Sequence, residues 1–122
     1  MTPVETEMSD RYKKIQDQVI STAIRSGRDP GEIRILAVSK TVPAPAIQTA
    51  IDSGLTLFGE NRIQEAREKI KLLHGDFTMH MIGHLQSNKS SDAVKLFDLI
   101  HSIDKITTAR AINHEAEKTG KF

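Results

Sequence analysis

Apolar residues fall into two alternating patterns along this chain. Four short runs, rich in β-branched and aliphatic residues, have the length of buried strands and cover residues 33–41, 55–59, 77–83 and 99–103. The segments before, between and after these runs carry apolar residues at spacings of three and four, which is typical of one face of a helix. The pattern predicts one helix followed by four strand–helix units.

Capping residues and glycines predict where the helices begin and end. Thr2 and Pro3 suit an N-cap and a first helical position, and a start near Ser9 is equally allowed. We expect the first helix over about residues 3–26, ended by Gly27. Further helix ends are expected at Gly54, Gly75 and Gly120, and further helix caps at Ser87 or Asn88 and at Asp104.

The predicted strands end at Lys40, Glu60, Gly83 and Asp104, a period of roughly 20 residues that matches one βα unit. Such units join parallel strands by right-handed crossovers, either in an open doubly wound sheet or in a closed barrel. No glycine-rich nucleotide-binding motif is present, which weakens the open Rossmann alternative. We therefore predict an α/β fold with residues 1–122 as a single domain, in which four parallel βα units form half of a TIM (β/α)8 barrel with an extra N-terminal helix.

Composition narrows the class of protein. The 122 residues include 17 Lys plus Arg and 16 Asp plus Glu, so the charge is nearly balanced and gives no footprint for nucleic acid or anionic lipid. The absence of cysteine excludes disulfides, thiolate metal sites and a cysteine nucleophile. No segment approaches the roughly 20 apolar residues that cross a bilayer, and the N-terminus has no apolar core. We expect a cytoplasmic protein.

Lys40 is the first candidate for chemistry, because ligands of parallel βα folds bind at the C-terminal ends of the strands. Two interpretations of this residue are open. Lys40 is a solvated residue that follows a strand, or it is a nucleophilic amine that forms a Schiff base. The carbonyl partner would be a substrate in an aldolase-like step or the cofactor pyridoxal phosphate.

Other polar residues near the strand ends have simpler explanations. Glu60 is either an orienting carboxylate or a solvated one, and Asp104 is better explained as a helix cap than as a catalytic group. His80 and His84 are four residues apart, but they span a strand-to-loop transition and lack a third ligand at a diagnostic spacing. His101 is interpreted as a strand residue that faces a polar neighbour. We predict no metal site.

Four segments at the strand ends occur together and in a specific order. They are Ala37-Val38-Ser39-Lys40-Thr41, then Phe58-Gly59-Glu60-Asn61 with Gln64-Glu65, then residues 80–89, and finally His101-Ser102-Ile103-Asp104. In these segments the chain resembles the YggS/PROSC family of pyridoxal phosphate homeostasis proteins. The resemblance covers essentially the whole chain, from the first helix onward.

The resemblance implies a barrel of the alanine racemase N-domain type, with pyridoxal phosphate held as a Schiff base on Lys40. It places Asn61 at a position that faces the cofactor and Glu60 as support for the same strand end. Residues 85–89 are diagnostic of the family but carry no assigned chemical step. Family members are regarded as cofactor carriers in intracellular vitamin B6 homeostasis without established catalysis, so no catalytic residue is predicted.

The chain departs from the family in length. Members carry roughly twice as many residues, and the resemblance associates Gly-Met-Ser and Arg-x-Gly segments of their later half with the cofactor's phosphate and ring. One alternative is therefore a fragment or scaffold with impaired cofactor binding. A pyridoxal phosphate-dependent racemase is disfavoured, because the only tyrosine, Tyr12, lies in the first helix. Half a barrel also leaves strand edges unpaired, which predicts self-association or pairing with the other half.

Overall fold

The computed structural model describes residues 3–122 and the side chains of residues 7–122. Within this range helices and strands alternate along the chain, and no helix is long and apolar enough to cross a membrane. The helices are α1 (Pro3–Arg25), α2 (Ala44–Asp52), α3 (Ile63–Ile70), α4 (Ser90–Leu96) and α5 (Ile106–Thr119). The strands are β1 (Ala37–Val38), β2 (Leu57–Glu60), β3 (Thr78–Met81) and β4 (Leu99–Ile100). Short 3-10 turns lie at Pro30–Glu32 and Ser87–Lys89.

The four strands form one parallel sheet in the order β1-β2-β3-β4. One helix separates each strand from the next, which confirms the predicted α/β class with parallel βα units. The strand order follows the chain order without the reversal that creates a switch point in doubly wound sheets. This order is the one that neighbouring strands of a barrel have.

The strand β1 is much shorter than the run of residues 33–41 from which it was predicted. Ala37 pairs with Phe58, and extending this parallel register backwards places residues 33–35 opposite residues 54–56. Gly54 has a φ of 103° and belongs to the turn that ends α2, so no strand is available opposite the start of the run. The apolar residues of the run that lie before β1, Ile33, Ile35 and Leu36, are partly buried without belonging to the ladder.

The hydrophobic core lies between the sheet and the helices. Phe58, Met79 and Met81 project from β2 and β3 on the helix side, and each is at most 2% exposed. They pack against Ile47, Ala50, Ile51, Ala66, Ala93 and Phe97. Fully burying a side chain of this size contributes about 1.5–3 kcal/mol, so this face of the sheet anchors the fold. On the opposite face Val38 and Leu99 remain about half exposed.

The predicted ends of the first and last helices are confirmed, whereas the predicted end of α3 is wrong. Gly27 and Gly120 have φ values of 74° and 73° and follow the last turns of α1 and α5. In contrast, α3 ends at Ile70, well before Gly75, because the chain leaves the helix through a turn at residues 71 and 72. The Thr2 cap lies outside the described residues.

The predicted side-chain caps at Ser87 or Asn88 and at Asp104 are not formed. Helix α4 follows directly from the 3-10 turn of Ser87–Lys89, so these residues precede the helix as a turn of their own, and the Ser87 hydroxyl is 3.0 Å from that of Thr108. Lys105 is the N-cap residue of α5, which places Asp104 one residue too early. The Asp104 carboxylate lies 4.0 Å from Nδ1 of His84 instead.

Gly83 brings the ends of β2, β3 and β4 together. A Cβ atom at this position would lie 2.4 Å from the carbonyl oxygen of Asn61 and 2.7 Å from its Cα atom. The carbonyl oxygen of Gly83 also accepts a hydrogen bond from the Ser102 hydroxyl. The absence of a side chain therefore permits a backbone contact that no other residue could make.

We expect Gly83→Ala to lower the free energy of unfolding by about 1–3 kcal/mol, because the new methyl group meets fixed backbone atoms. Urea denaturation at constant pH measures this change. Gly31→Ala is a matched control, since its Cβ would meet only the Asp29 carboxylate, at 3.3 Å, and that side chain can move. Equal losses in both variants would contradict the importance of this contact.

Candidate functional site

Lys40 lies in a tight turn at the end of β1, and its side chain is exposed. Ser39 continues the ladder, since its N–H donates to the Gly59 carbonyl at 3.0 Å, and its own carbonyl accepts from the N–H of Val42 at 3.1 Å. Ser39 is buried towards the helices, and Lys40 is the next residue along the strand direction. Side chains alternate along a strand, so Lys40 belongs to the face that also carries the half-exposed Val38.

Asn61 occupies the equivalent position on the neighbouring strand. Val38 pairs with Gly59, and extending the register by two residues brings Lys40 beside Asn61. The backbone of Asn61 is fixed in turn by the close approach of Gly83. The structure therefore brings Lys40, Asn61 and Gly83, which the sequence placed at three separate strand ends, to one edge of the sheet.

Glu60 lies on the helix side of this edge and is completely buried. Its carboxylate accepts hydrogen bonds from the Ser39 hydroxyl and from Nζ of Lys69, which is 3.2 Å from each of the two carboxylate oxygens. The solvated alternative for Glu60 is therefore wrong. A carboxylate that is withdrawn from water needs hydrogen-bond donors and an opposite charge, and Ser39 and Lys69 provide them.

Lys69 is a buried lysine that the sequence did not single out. Its side chain is only 10% exposed, and besides Glu60 its Nζ donates to the Ser39 carbonyl at 2.6 Å and to Glu65 at 2.8 Å. The four-residue spacing of Glu65 and Lys69 favours an ion pair across one turn of helix, but from the sequence alone such a pair is expected at the surface. One signal was available, since Lys69 follows the fully buried Ala66 by three residues and therefore extends the buried stripe of α3.

Glu65 joins this cluster to the turn that carries Lys40. Its carboxylate accepts from Nζ of Lys69 and, at 2.6 Å, from the backbone N–H of Thr41. The hydrogen bond from Lys69, followed by the one from Thr41, lowers the pKa of Glu65 below its ordinary value of 4.5. The carboxylate is thus held in its ionised form, in which it binds both donors.

Three residues of the 85–89 segment, Leu85, Gln86 and Lys89, line a groove of about 280 Å³ together with Asn61. Leu85 is 1% exposed and belongs to the hydrophobic core, whereas residues 86–89 are exposed. In the same groove Arg67 forms an ion pair with Asp92 at 3.1 Å. This segment thus contributes one core residue and a polar rim.

His80 pairs with His101 and not with His84. Nδ1 of His80 is 2.9 Å from Nε2 of His101, and burial, followed by the nearby charge of His101, lowers the pKa of His80 below its ordinary value of 6.5. The polar neighbour expected for His101 is therefore His80. Among the residues that the structure describes, no three His, Cys, Asp or Glu side chains are arranged to hold a metal ion.

Comparison with known proteins gives consistent similarities, although no family model matches the chain. The pyridoxal phosphate homeostasis protein of Escherichia coli K12 is 41% identical over 113 residues, which are 89% of this chain and 48% of that protein. The structure of PipY from Synechococcus elongatus with PLP bound has a TM-score of 0.70 and 41% identity, and the match covers 86% of this chain and 50% of PipY. An unknown protein from Bifidobacterium adolescentis has a TM-score of 0.85 and 30% identity over 98% of this chain and 54% of its own.

The chain spans about half the length of the curated relatives it matches. The matched half carries the parallel sheet, the turn at Lys40 and the four segments that defined the resemblance. The predicted family is confirmed by relatives at 36–41% identity and by the similarity to PipY. The chain belongs to the YggS/PROSC family of pyridoxal phosphate homeostasis proteins.

Proposed function

We propose that the chain binds pyridoxal phosphate in intracellular vitamin B6 homeostasis, with the Lys40 amine as the point of covalent attachment and Asn61 beside it. The observation that carries this proposal is the position of Lys40, whose side chain is exposed at the C-terminal edge of the sheet while the peptide groups on both sides of it are hydrogen-bonded. An amine used in this way must reach a ligand and must also be held in place. The binding of PLP by the similar protein PipY supports the choice of ligand.

The residues of this chain fit the reactive end of the cofactor. Bound pyridoxal phosphate supplies an aldehyde that condenses with an amine. Lys40 provides an accessible amine, and Asn61, which follows the end of the neighbouring strand β2, offers both a donor and an acceptor. The Gly-Met-Ser segment that the family resemblance associates with the cofactor does not occur in these 122 residues, and their one Arg-x-Gly match, Arg25-Ser26-Gly27, lies at the end of α1.

A carrier role is favoured over racemisation by the position of Tyr12. This residue lies in α1 and lines a depression with Ile33, Ile35 and Leu57, at the end of the sheet where the strands begin. Lys40 lies where β1 ends, so the tyrosine cannot act as the opposing acid or base at the same centre. We propose that the protein is not an enzyme, and its cytoplasmic location stays a prediction.

We expect the protein incubated with pyridoxal phosphate to develop an absorbance band at about 420 nm, the usual range for a lysine-bound cofactor. The band should disappear in Lys40→Ala and persist in Lys95→Ala, which removes an exposed lysine from α4. A band of equal strength in Lys40→Ala would show that another amine reacts. If the unsubstituted protein develops no band and equilibrium dialysis detects no bound cofactor, the scaffold alternative is correct.

We also propose that the free edges of the sheet make the chain associate with itself or with the half that completes its relatives. The strands β1 and β4 lie at the two ends of the strand order, and each pairs through only two residues with its one neighbour in the described sheet. Val38 and Leu99 on these strands are half exposed. Unpaired parallel edges and open apolar faces favour association.

Sedimentation velocity of the chain alone is expected to show a weight-average mass that rises with concentration above the monomer mass of 13.6 kDa. Leu99→Lys should reduce this association, because a lysine at an edge strand opposes further pairing. A compact monomer at high concentration would contradict the proposal.

A further inference from the structure

We propose that Lys69, Glu60 and Glu65 are positioning residues for Lys40. They touch neither the Lys40 amine nor the ligand face, and they act through the peptide groups on both sides of Lys40. This inference deepens the proposed function and rests on it for its ligand.

Both neighbours of Lys40 are bound by the same cluster. On one side the carbonyl oxygen of Ser39 accepts from Nζ of Lys69 at 2.6 Å, and on the other side the N–H of Thr41 donates to Glu65 at 2.6 Å. Lys69 and Glu65 are themselves joined at 2.8 Å. One ammonium group therefore connects the two ends of the Lys40 turn and limits the directions in which its side chain can point.

The backbone of Thr41 has to be held in this way. Its φ is 62°, which makes it the one residue other than glycine with positive φ among the described residues. A β-branched side chain disfavours the left-handed region, and such a conformation persists only where the surroundings impose it. The hydrogen bond from Thr41 to Glu65 is the contact that fixes its peptide group.

Glu60 holds the ammonium group of Lys69 beside the ends of β1 and β2. Glu60 is the last residue of β2 and lies opposite Ser39 when the register of β1 and β2 is extended by one residue, and its carboxylate accepts from both the Ser39 hydroxyl and Lys69. Stability alone does not explain this arrangement, because apolar residues of similar volume often replace a buried ion pair without loss. The donors and acceptors converge instead on the residues that flank Lys40, which indicates that the cluster specifies the conformation of this turn.

Glu65 is the residue to change, because its side chain is 27% exposed, whereas removing Lys69 or Glu60 would leave a buried charge unpaired. Glu65→Ala removes the acceptor of the Thr41 N–H, and Glu65→Gln keeps an oxygen acceptor in the same place. Glu68→Ala is the matched control, since Glu68 lies on the same helix, is exposed and bonds Gln64. Thermal unfolding of each variant checks that the fold is retained.

Two measurements on the whole chain test the assignment. Hydrogen exchange without cofactor reports on the Thr41 amide, which should exchange about tenfold to a hundredfold faster in Glu65→Ala, as expected for the loss of a hydrogen bond to a charged acceptor. Titration with pyridoxal phosphate, followed at about 420 nm, should give a dissociation constant about tenfold higher in the same variant. Glu65→Gln should stay within about threefold of the unsubstituted protein in both measurements, because a neutral acceptor retains part of the interaction.

Unchanged exchange of the Thr41 amide in Glu65→Ala would overturn the assignment, whatever the cofactor does. Faster exchange with an unchanged dissociation constant would also overturn it, because the turn would then be held without consequence for binding. If Glu65→Ala does not fold, Glu65→Met removes the same acceptor with a side chain of similar length. Unchanged exchange of the Thr41 amide in that variant would overturn the assignment. Absence of the band in the unsubstituted protein would overturn the proposed function, and the exchange measurement still decides the role of the cluster.

Discussion

The burial of one ammonium group organises the C-terminal edge of this sheet. Lys69 is withdrawn from water, so its charge must be balanced and its three N–H donors must find acceptors. Glu60, Glu65 and the Ser39 carbonyl meet this requirement from three different segments of the chain. Removing one partner of a buried pair typically costs about 3–5 kcal/mol, so these segments are strongly constrained relative to one another.

The two faces of the sheet therefore have different tasks. The helix side is sealed by apolar packing around Phe58 and Met79 and, at its edge, by the Lys69 cluster. The other face carries half-exposed apolar side chains on β1 and β4, and the alternation of side chains along β1 assigns Lys40 to this face. A rigid layer on one side thus supports an accessible amine on the other, an arrangement suited to covalent capture of a small carbonyl compound.

The order of elements and the positions of Lys40 and Asn61 could be predicted from the sequence, because alternation of strand and helix patterns places all strand ends at one edge. The role of Lys69 could not, since a lysine four residues after a glutamate looks like a solvated helix pair until the sheet beneath it is known. The expected caps at Ser87 and Asp104 failed for a similar reason. The helices begin one or two residues later, where local turns and not side-chain propensity set the boundary.

The most direct test of this account is to locate the cofactor on the chain. The protein is incubated with pyridoxal phosphate, reduced with borohydride and digested, and the modified lysines are identified by mass spectrometry. The account predicts that the adduct forms predominantly on Lys40, because this amine is exposed at the strand edge and its turn is fixed. Modification spread evenly over exposed lysines such as Lys13 and Lys95 would contradict it.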